Sequence, residues 1–210
     1  MAVFRCRFFS QSLLRDVHIN VILPADQPQL PGQDVQTQET YPTLYLLHGI
    51  LGSEDDWLNH TNIQDLSIRY GIAVVMPAGE NQFYVDQKAT HALYGEFIGQ
   101  ELVNFTRKVF PLSPKQSDTM IAGLSMGGYG ALRNGLKYQQ TFGMIGAFSS
   151  ALIISDLSQR QNTSPIPFET RKYAEAVFGH DLEAVSKSDK NPIWLADRLS
   201  PEKKINSKYL

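Results

Sequence analysis

Cysteine is almost missing from this sequence. Cys6 stands alone, which excludes an internal disulfide and a cysteine-built zinc site. Long apolar runs are missing too: none approaches the ~20 residues that cross a bilayer. The N-terminal Met-Ala-Val-Phe-Arg-Cys-Arg has no apolar stretch of signal-peptide length behind its charges. Nor is there a surplus of one charge. Lys plus Arg number 19 and Asp plus Glu 21, a net charge of −2, without the basic excess of a nucleic-acid binder. These absences lead us to expect a soluble, cytoplasmic protein that takes neither nucleic acid nor membrane as partner. What is present is core-forming material. Hydrophobic residues make up 42% and charged residues 19% of 210 positions, which suits one folded domain rather than a disordered chain.

The apolar residues are arranged in two ways. Phe4, Cys6 and Phe8 alternate with Arg5 and Arg7, and Val17, Ile19 and Val21 with Asp16, His18 and Asn20. That period predicts two half-buried strands, paired antiparallel. After a polar stretch from Pro24 to Tyr41, read as an exposed loop, the runs become continuous. Thr43–Leu47, Ile72–Met76, Thr119–Leu124 and Met144–Phe148 look like strands covered on both faces by helices. Helices are predicted between them: 62–69, with Thr61 and Gln64 as a capping box and Gly71 as its stop; 96–109; and 126–138. Alternating strands and helices imply a parallel sheet with right-handed crossovers. Residues 151–190 break the rhythm and read as an insertion, with a short helix near 169–178. Asn191-Pro192 opens another helix through Leu199, and Ser207–Leu210 looks like the start of a further strand.

The chemistry concentrates at Gly123-Leu-Ser125-Met-Gly127, a G-x-S-x-G motif between an apolar strand and a helix. A nucleophile elbow has this context: serine occupies a strained strand-to-helix turn, and flanking glycines remove side chains that would collide. Ser125 would also sit at a helix N-terminus, where the dipole favours developing negative charge. No Lys follows the glycines and no G-x-G-x-x-G fits, so neither a phosphate loop nor a dinucleotide site is supported. No cofactor and no metal are expected. An activated serine also needs an oxyanion hole. The N–H after the nucleophile, Met126, is one donor. The loop after the third strand, His48-Gly49-Ile50-Leu51-Gly52, is placed to give the other. His48 reads as an organiser of that loop rather than as a base.

Leu46-Leu-His-Gly49, Trp57, Val75-Met-Pro77, Tyr84 and the G-L-S-M-G-G elbow together resemble the putative-esterase branch of the α/β-hydrolases. That branch includes tributyrin esterases, S-formylglutathione hydrolases (esterase D) and antigen 85-type mycolyltransferases, and the likeness to the first is closest. The likeness runs from Phe4 to Leu210. It implies an α/β-hydrolase fold, a mostly parallel sheet with antiparallel N-terminal strands, helices on both faces and a small inserted cap at 151–190, with the C-terminal strands missing. It implies a serine carboxylesterase acting on short-chain acyl esters through an acyl-enzyme on Ser125. The backbone N–H groups of Ile50 and Met126 would hold the oxyanion, and Trp57 and Tyr84 would lie against the substrate.

The same resemblance places the triad Asp and His after Ser125, beyond a strand that would begin at Lys208. The 210 residues end before either position. Of the internal histidines, His18, His60 and His180 read as structural, and His91 lies in the loop near Tyr84 and Tyr94. Two further readings follow: a degenerate binding protein that keeps the fold without the triad, or acyl transfer to an acceptor other than water. An incomplete last strand would leave a sheet edge open, which invites self-association.

Overall fold

The computed structural model describes residues 1–26 and 39–199. The two alternating segments form β1 (Ala2–Ser10) and β2 (Arg15–Leu23), an antiparallel pair in continuous register from Ala2–Leu23 to Ser10–Arg15. The continuous runs form β3 (Thr43–Leu47) and β4 (Ala73–Pro77), then β7 (Thr119–Leu124) and β8 (Met144–Phe148), after a short hairpin of β5 (Asp86–Gln87) and β6 (Ala92–Leu93). Strands β3, β4, β7 and β8 run parallel, β2 joins β4 antiparallel, and the order is β1-β2-β4-β3-β7-β8.

Successive strand residues point to opposite faces, so each continuous run feeds two cores. On one face Tyr45, Leu47, Val75 and Ile121 pack with Ile98, Leu102 and Met126. These last come from the helical run of α3 (Tyr94–Glu96), a π turn (Phe97–Glu101) and α4 (Leu102–Val109), and from α5 (Met126–Lys137). On the other face Ile22, Leu46, Val74, Met76 and Ala122 pack with Ile63, Trp57 and Leu58 from α1 (Asp56–His60) and α2 (Ile63–Tyr70). Each fully buried Leu, Ile or Val contributes roughly 1.5–3 kcal/mol relative to exposure, so this two-sided burial fixes the strand register.

Residues 151–190 carry α6 (Arg171–Phe178) and α7 (Leu182–Val185) and lead into α8 (Pro192–Asp197). Phe178 packs on Phe83 and Tyr129, and Gln87 Nε2–H donates to Ala176 O at 3.2 Å, so this segment docks on the β5–β6 hairpin and on α5. Several expectations shift by a residue or more. Helix 96–109 begins at Tyr94 and contains the π turn. Helix α2 has Asn62 at its N-cap; Thr61 Oγ1 instead accepts the Ile63 N–H and donates to Trp57 O. Gly71 ends that helix at φ 63°, as its position predicts. Asn191 caps α8 through Ile193 N–H. Most of the Pro24–Tyr41 loop, and the strand expected at Ser207–Leu210, lie outside the described residues.

Candidate active site

The parallel register brings three strand ends together. Leu47 pairs with Gly123, and Leu124 with Phe148. The loops that leave β3, β7 and β8 therefore meet at the carboxyl edge of the sheet, where open α/β sheets place their ligands. At the centre is Ser125, between β7 and α5, with φ 55° and ψ −113°. A non-glycine residue holds that conformation only where its surroundings impose it. They do: Ser125 N–H donates to Phe148 O at 2.9 Å, and Ser125 O accepts from Tyr129 N–H at 3.0 Å and Ala151 N–H at 3.1 Å. The glycines act by close approach. A Cβ on Gly123 would lie 2.4 Å from the carbonyl carbon and oxygen of Gly127, and one on Gly127 would lie 2.2 Å from Leu47 O. Backbone blocks both, so only glycine fits. Among the described residues no group hydrogen-bonds Ser125 Oγ, which is half-buried.

Beside the serine lies the loop 48–52. An added Cβ at Gly49 would be 3.8 Å from Ser125 Cβ. Gly52 N–H donates to Gly49 O at 3.2 Å, closing a turn, and Leu51 passes through it at φ 65°. The buried His48 ring braces this turn from both sides: Nδ1 bonds Gly49 O at 2.7 Å, and Nε2 accepts Gly79 N–H at 2.9 Å. The second bond makes Nε2 an acceptor, so Nδ1 carries the proton and the ring is neutral. Burial lowers its pKa, against weaker opposing contributions from the Gly49 carbonyl and nearby carboxylates. With both nitrogens engaged, His48 organises the loop. Among the described residues, the N–H groups of Ile50, in this loop, and of Met126, at the first position of α5, have no acceptor.

Trp57 and Tyr84 support this loop. The Trp57 indole N–H donates to Leu47 O at 3.1 Å, and its ring packs in the second core. Tyr84 has 0% exposure; its hydroxyl donates to His48 O at 3.0 Å. Burial drives the Tyr84 pKa well above the ordinary tyrosine value. The expected substrate contact is thus corrected for Tyr84: a side chain without exposed surface cannot touch a substrate. His18, His60, His91 and His180 are all exposed.

One feature of the site has no signal in the sequence. Arg133, on α5 two turns beyond the elbow, is 0% exposed and bonds Asp86 Oδ2 at 3.0 Å and Asp189 Oδ2 at 2.9 Å. Lys137 joins both carboxylates, and Tyr129 O–H donates to Lys190 O. The helix that carries Ser125 is thereby locked to the hairpin and to the segment before α8. The partners are 47 and 56 residues apart along the chain, so no local pattern could announce them. Backbone strain marks the same region. Of eight non-glycine residues with positive φ among the described residues, Leu51, Glu80, Phe83, Tyr84, Ser125 and Ser149 line the loops around the elbow. Such strain clusters where function demands a fixed geometry. No described group of three His, Cys, Asp or Glu residues could hold a metal ion, and no described helix is long and apolar enough to cross a membrane.

Comparison with known proteins identifies the family. Residues 10–205 match the family described as "Putative esterase". An acetyl esterase of Caldicellulosiruptor saccharolyticus is 44% identical over 203 residues, covering 97% of this chain and 76% of the relative. Among solved structures, the fluorophosphonate-binding serine hydrolase FphF of Staphylococcus aureus superposes with a TM-score of 0.80 at 26% identity, over 99% of this chain and 77% of that one. The S-formylglutathione hydrolase FrmB of the same organism gives 0.77 at 25% identity, with the same coverage.

Proposed function

Because this chain belongs to the "Putative esterase" family of carboxylic ester hydrolases, with an α/β-hydrolase fold, we propose that Ser125 is its nucleophile and that it hydrolyses short-chain acyl esters of the tributyrin type. The observation that carries the reading is the strained Ser125 backbone, held by Phe148 O and Ala151 N–H between two glycines that cannot be replaced. In this reading Ser125 Oγ attacks the ester carbonyl and the alcohol leaves. The N–H groups of Ile50 and Met126 receive the oxyanion, each contributing roughly 3–4 kcal/mol to lowering the barrier. Water then releases the acid from the acyl-enzyme. Small acyl groups are favoured by the similarity to a protein called an acetyl esterase. Trp57 and Tyr84 serve as supports of the oxyanion loop.

The serine proton needs a base. We assign none of the described histidines to that role: His48 is occupied on both nitrogens, and no described side chain bonds Ser125 Oγ. That observation favours a second reading, a binding protein with the esterase fold and an unactivated serine. Incubating the chain with 4-nitrophenyl acetate separates the two. Turnover that disappears in Ser125→Ala supports the esterase. A folded, monodisperse protein without turnover, and without labelling by a fluorophosphonate at Ser125, supports the binding protein.

A further inference from the structure

The oxyanion loop has an anchor on its outer side that the esterase chemistry alone does not explain. Gly49 C=O and Ile50 N–H belong to one planar peptide unit, so holding Gly49 O with His48 and Gly52 aims the Ile50 N–H in the opposite direction. That fixes one end of the segment. The other end is Leu51, whose side chain is 74% exposed and gives the backbone little packing. Leu51 nevertheless keeps φ at 65°, a conformation that costs a branched residue energy. Its N–H has one acceptor among the described residues, Asn81 Oδ1 at 2.7 Å. Asn81 is half-buried and is itself held from a distant part of the chain: Tyr173 O–H, on α6, donates to Asn81 O.

We propose that Asn81 is a positioning residue for the oxyanion hole, and that Tyr173 anchors it from the inserted segment. The sequence of contacts is Tyr173 to Asn81, Asn81 to the Leu51 N–H, and through the next peptide unit to the Ile50 N–H. The segment 151–190 therefore sets the geometry of the catalytic loop without reaching the reacting atoms. This rests on the assignment of Ile50 as an oxyanion donor. The Asn side chain suits the task because its amide oxygen accepts without adding negative charge beside a developing oxyanion. An Asp would accept equally well and oppose that charge.

The test compares the wild-type chain with Asn81→Ala, Asn81→Asp and Tyr173→Phe by amide hydrogen exchange and by 4-nitrophenyl acetate kinetics. Exchange at Leu51 should accelerate at least tenfold in Asn81→Ala and by a smaller factor in Tyr173→Phe, and should stay slow in Asn81→Asp. In Asn81→Ala, kcat should fall about tenfold at unchanged KM and unchanged melting temperature. In Asn81→Asp, kcat should fall although the loop stays protected. Unaltered Leu51 exchange in a folded Asn81→Ala variant overturns the proposal. So does faster exchange with kcat at the wild-type value, which would leave Asn81 a structural residue only. Failure of the esterase reading is recognised separately, as an inert wild-type chain, and the exchange comparison then still decides whether Asn81 holds the loop.

Discussion

His48 Nε2 accepts the Gly79 backbone N–H at 2.9 Å, which joins the loop after β3 to the loop after β4 through a neutral, buried ring. A proton on Nε2 would set two donors face to face. Burial lowers the His48 pKa in the folded protein, whereas an unfolded histidine titrates near ~6.5. Below that pH the unfolded chain therefore binds the extra proton, and stability declines as pH falls until the folded value is reached. Urea unfolding between pH 7.5 and 5 should show this decline in the wild type. His48→Gln should be less stable at pH 7.5 by about 1–3 kcal/mol, since at least one buried backbone partner is left unsatisfied. Its stability should also vary less over the same range. Identical slopes for the two proteins would mean that His48 is not the group responsible.

Ser125 stores strain that glycine would not. At φ 55° and ψ −113° its side chain occupies a backbone region open to glycine. Ser125→Gly should stabilise the protein by about 1 kcal/mol once the flexibility of unfolded glycine is set against the relieved strain. For a chain of this length that raises the melting temperature by roughly 2–4 °C. Ser125→Ala keeps the Cβ and should melt near the wild type. Both variants should lose ester turnover. A Ser125→Gly protein less stable than Ser125→Ala would show that the elbow is not strained.

The elbow was legible in the sequence because each of its requirements is local. Strand β7, Ser125 and α5 are consecutive, and Gly123 and Gly127 sit two positions from the serine. Three of the parallel strands were legible for a similar reason, since burial on both faces leaves continuous apolar runs in β3, β4 and β7, whereas β8, expected to be covered in the same way, is only half-buried and ends exposed at Phe148. The β5–β6 hairpin was not, because two residues per strand are too few for any period. Helix α1 hides for a related reason: Asp56–His60 is one turn longer than nothing and buries no residue completely. Unlike His48, whose role in organising its loop was readable, two other supports of the site were invisible on other grounds. Tyr84 looks like a substrate-facing aromatic until the fold shows it buried under His48, and Arg133 finds its two carboxylates only in three dimensions.

The close approach of α5 to β3 makes Gly127 irreplaceable in a graded way that a comparison can measure. A Cβ there would lie 2.2 Å from Leu47 O, and backbone at the end of a central strand cannot move aside. Gly127→Ala should cost about 3 kcal/mol or more, at the upper end of overpacking. At Gly146, on β8, the last strand of the sheet among the described residues, the added Cβ would meet Ala122 Cβ at 3.1 Å, where a few tenths of an ångström suffice. Gly146→Ala should cost under about 1 kcal/mol. Thermal unfolding of the two variants gives the ordering, and equal losses would refute the close approach at Gly127.

Arg133 has no exposed surface, and its charge depends on Asp86, which is also buried, and on Asp189, which is 42% exposed. Removing Asp86 leaves a buried guanidinium with one partly hydrated partner, so Asp86→Ala should cost about 3 kcal/mol. Asp189→Ala keeps the buried pair and removes a screened one, and should cost about 1 kcal/mol. Burial alone would raise the Asp86 pKa. The Arg133 charge, the Glu96 N–H bond and Lys137 outweigh it and hold the carboxyl below its ordinary value. Asp189 is likewise held low, with Arg133 and Lys137 outweighing its own burial. A carboxyl with a lowered folded pKa stabilises the protein fully above the unfolded value near ~3.9, and this stability is lost as pH falls through the folded value. Acid unfolding of the wild type should therefore include a component that Asp86→Ala lacks. If Asp86→Ala unfolds in acid along the same curve, merely displaced, the carboxyl is not titrating against Arg133, and the lock between α5 and the hairpin owes its strength to packing of Phe83, Tyr129 and Phe178 instead.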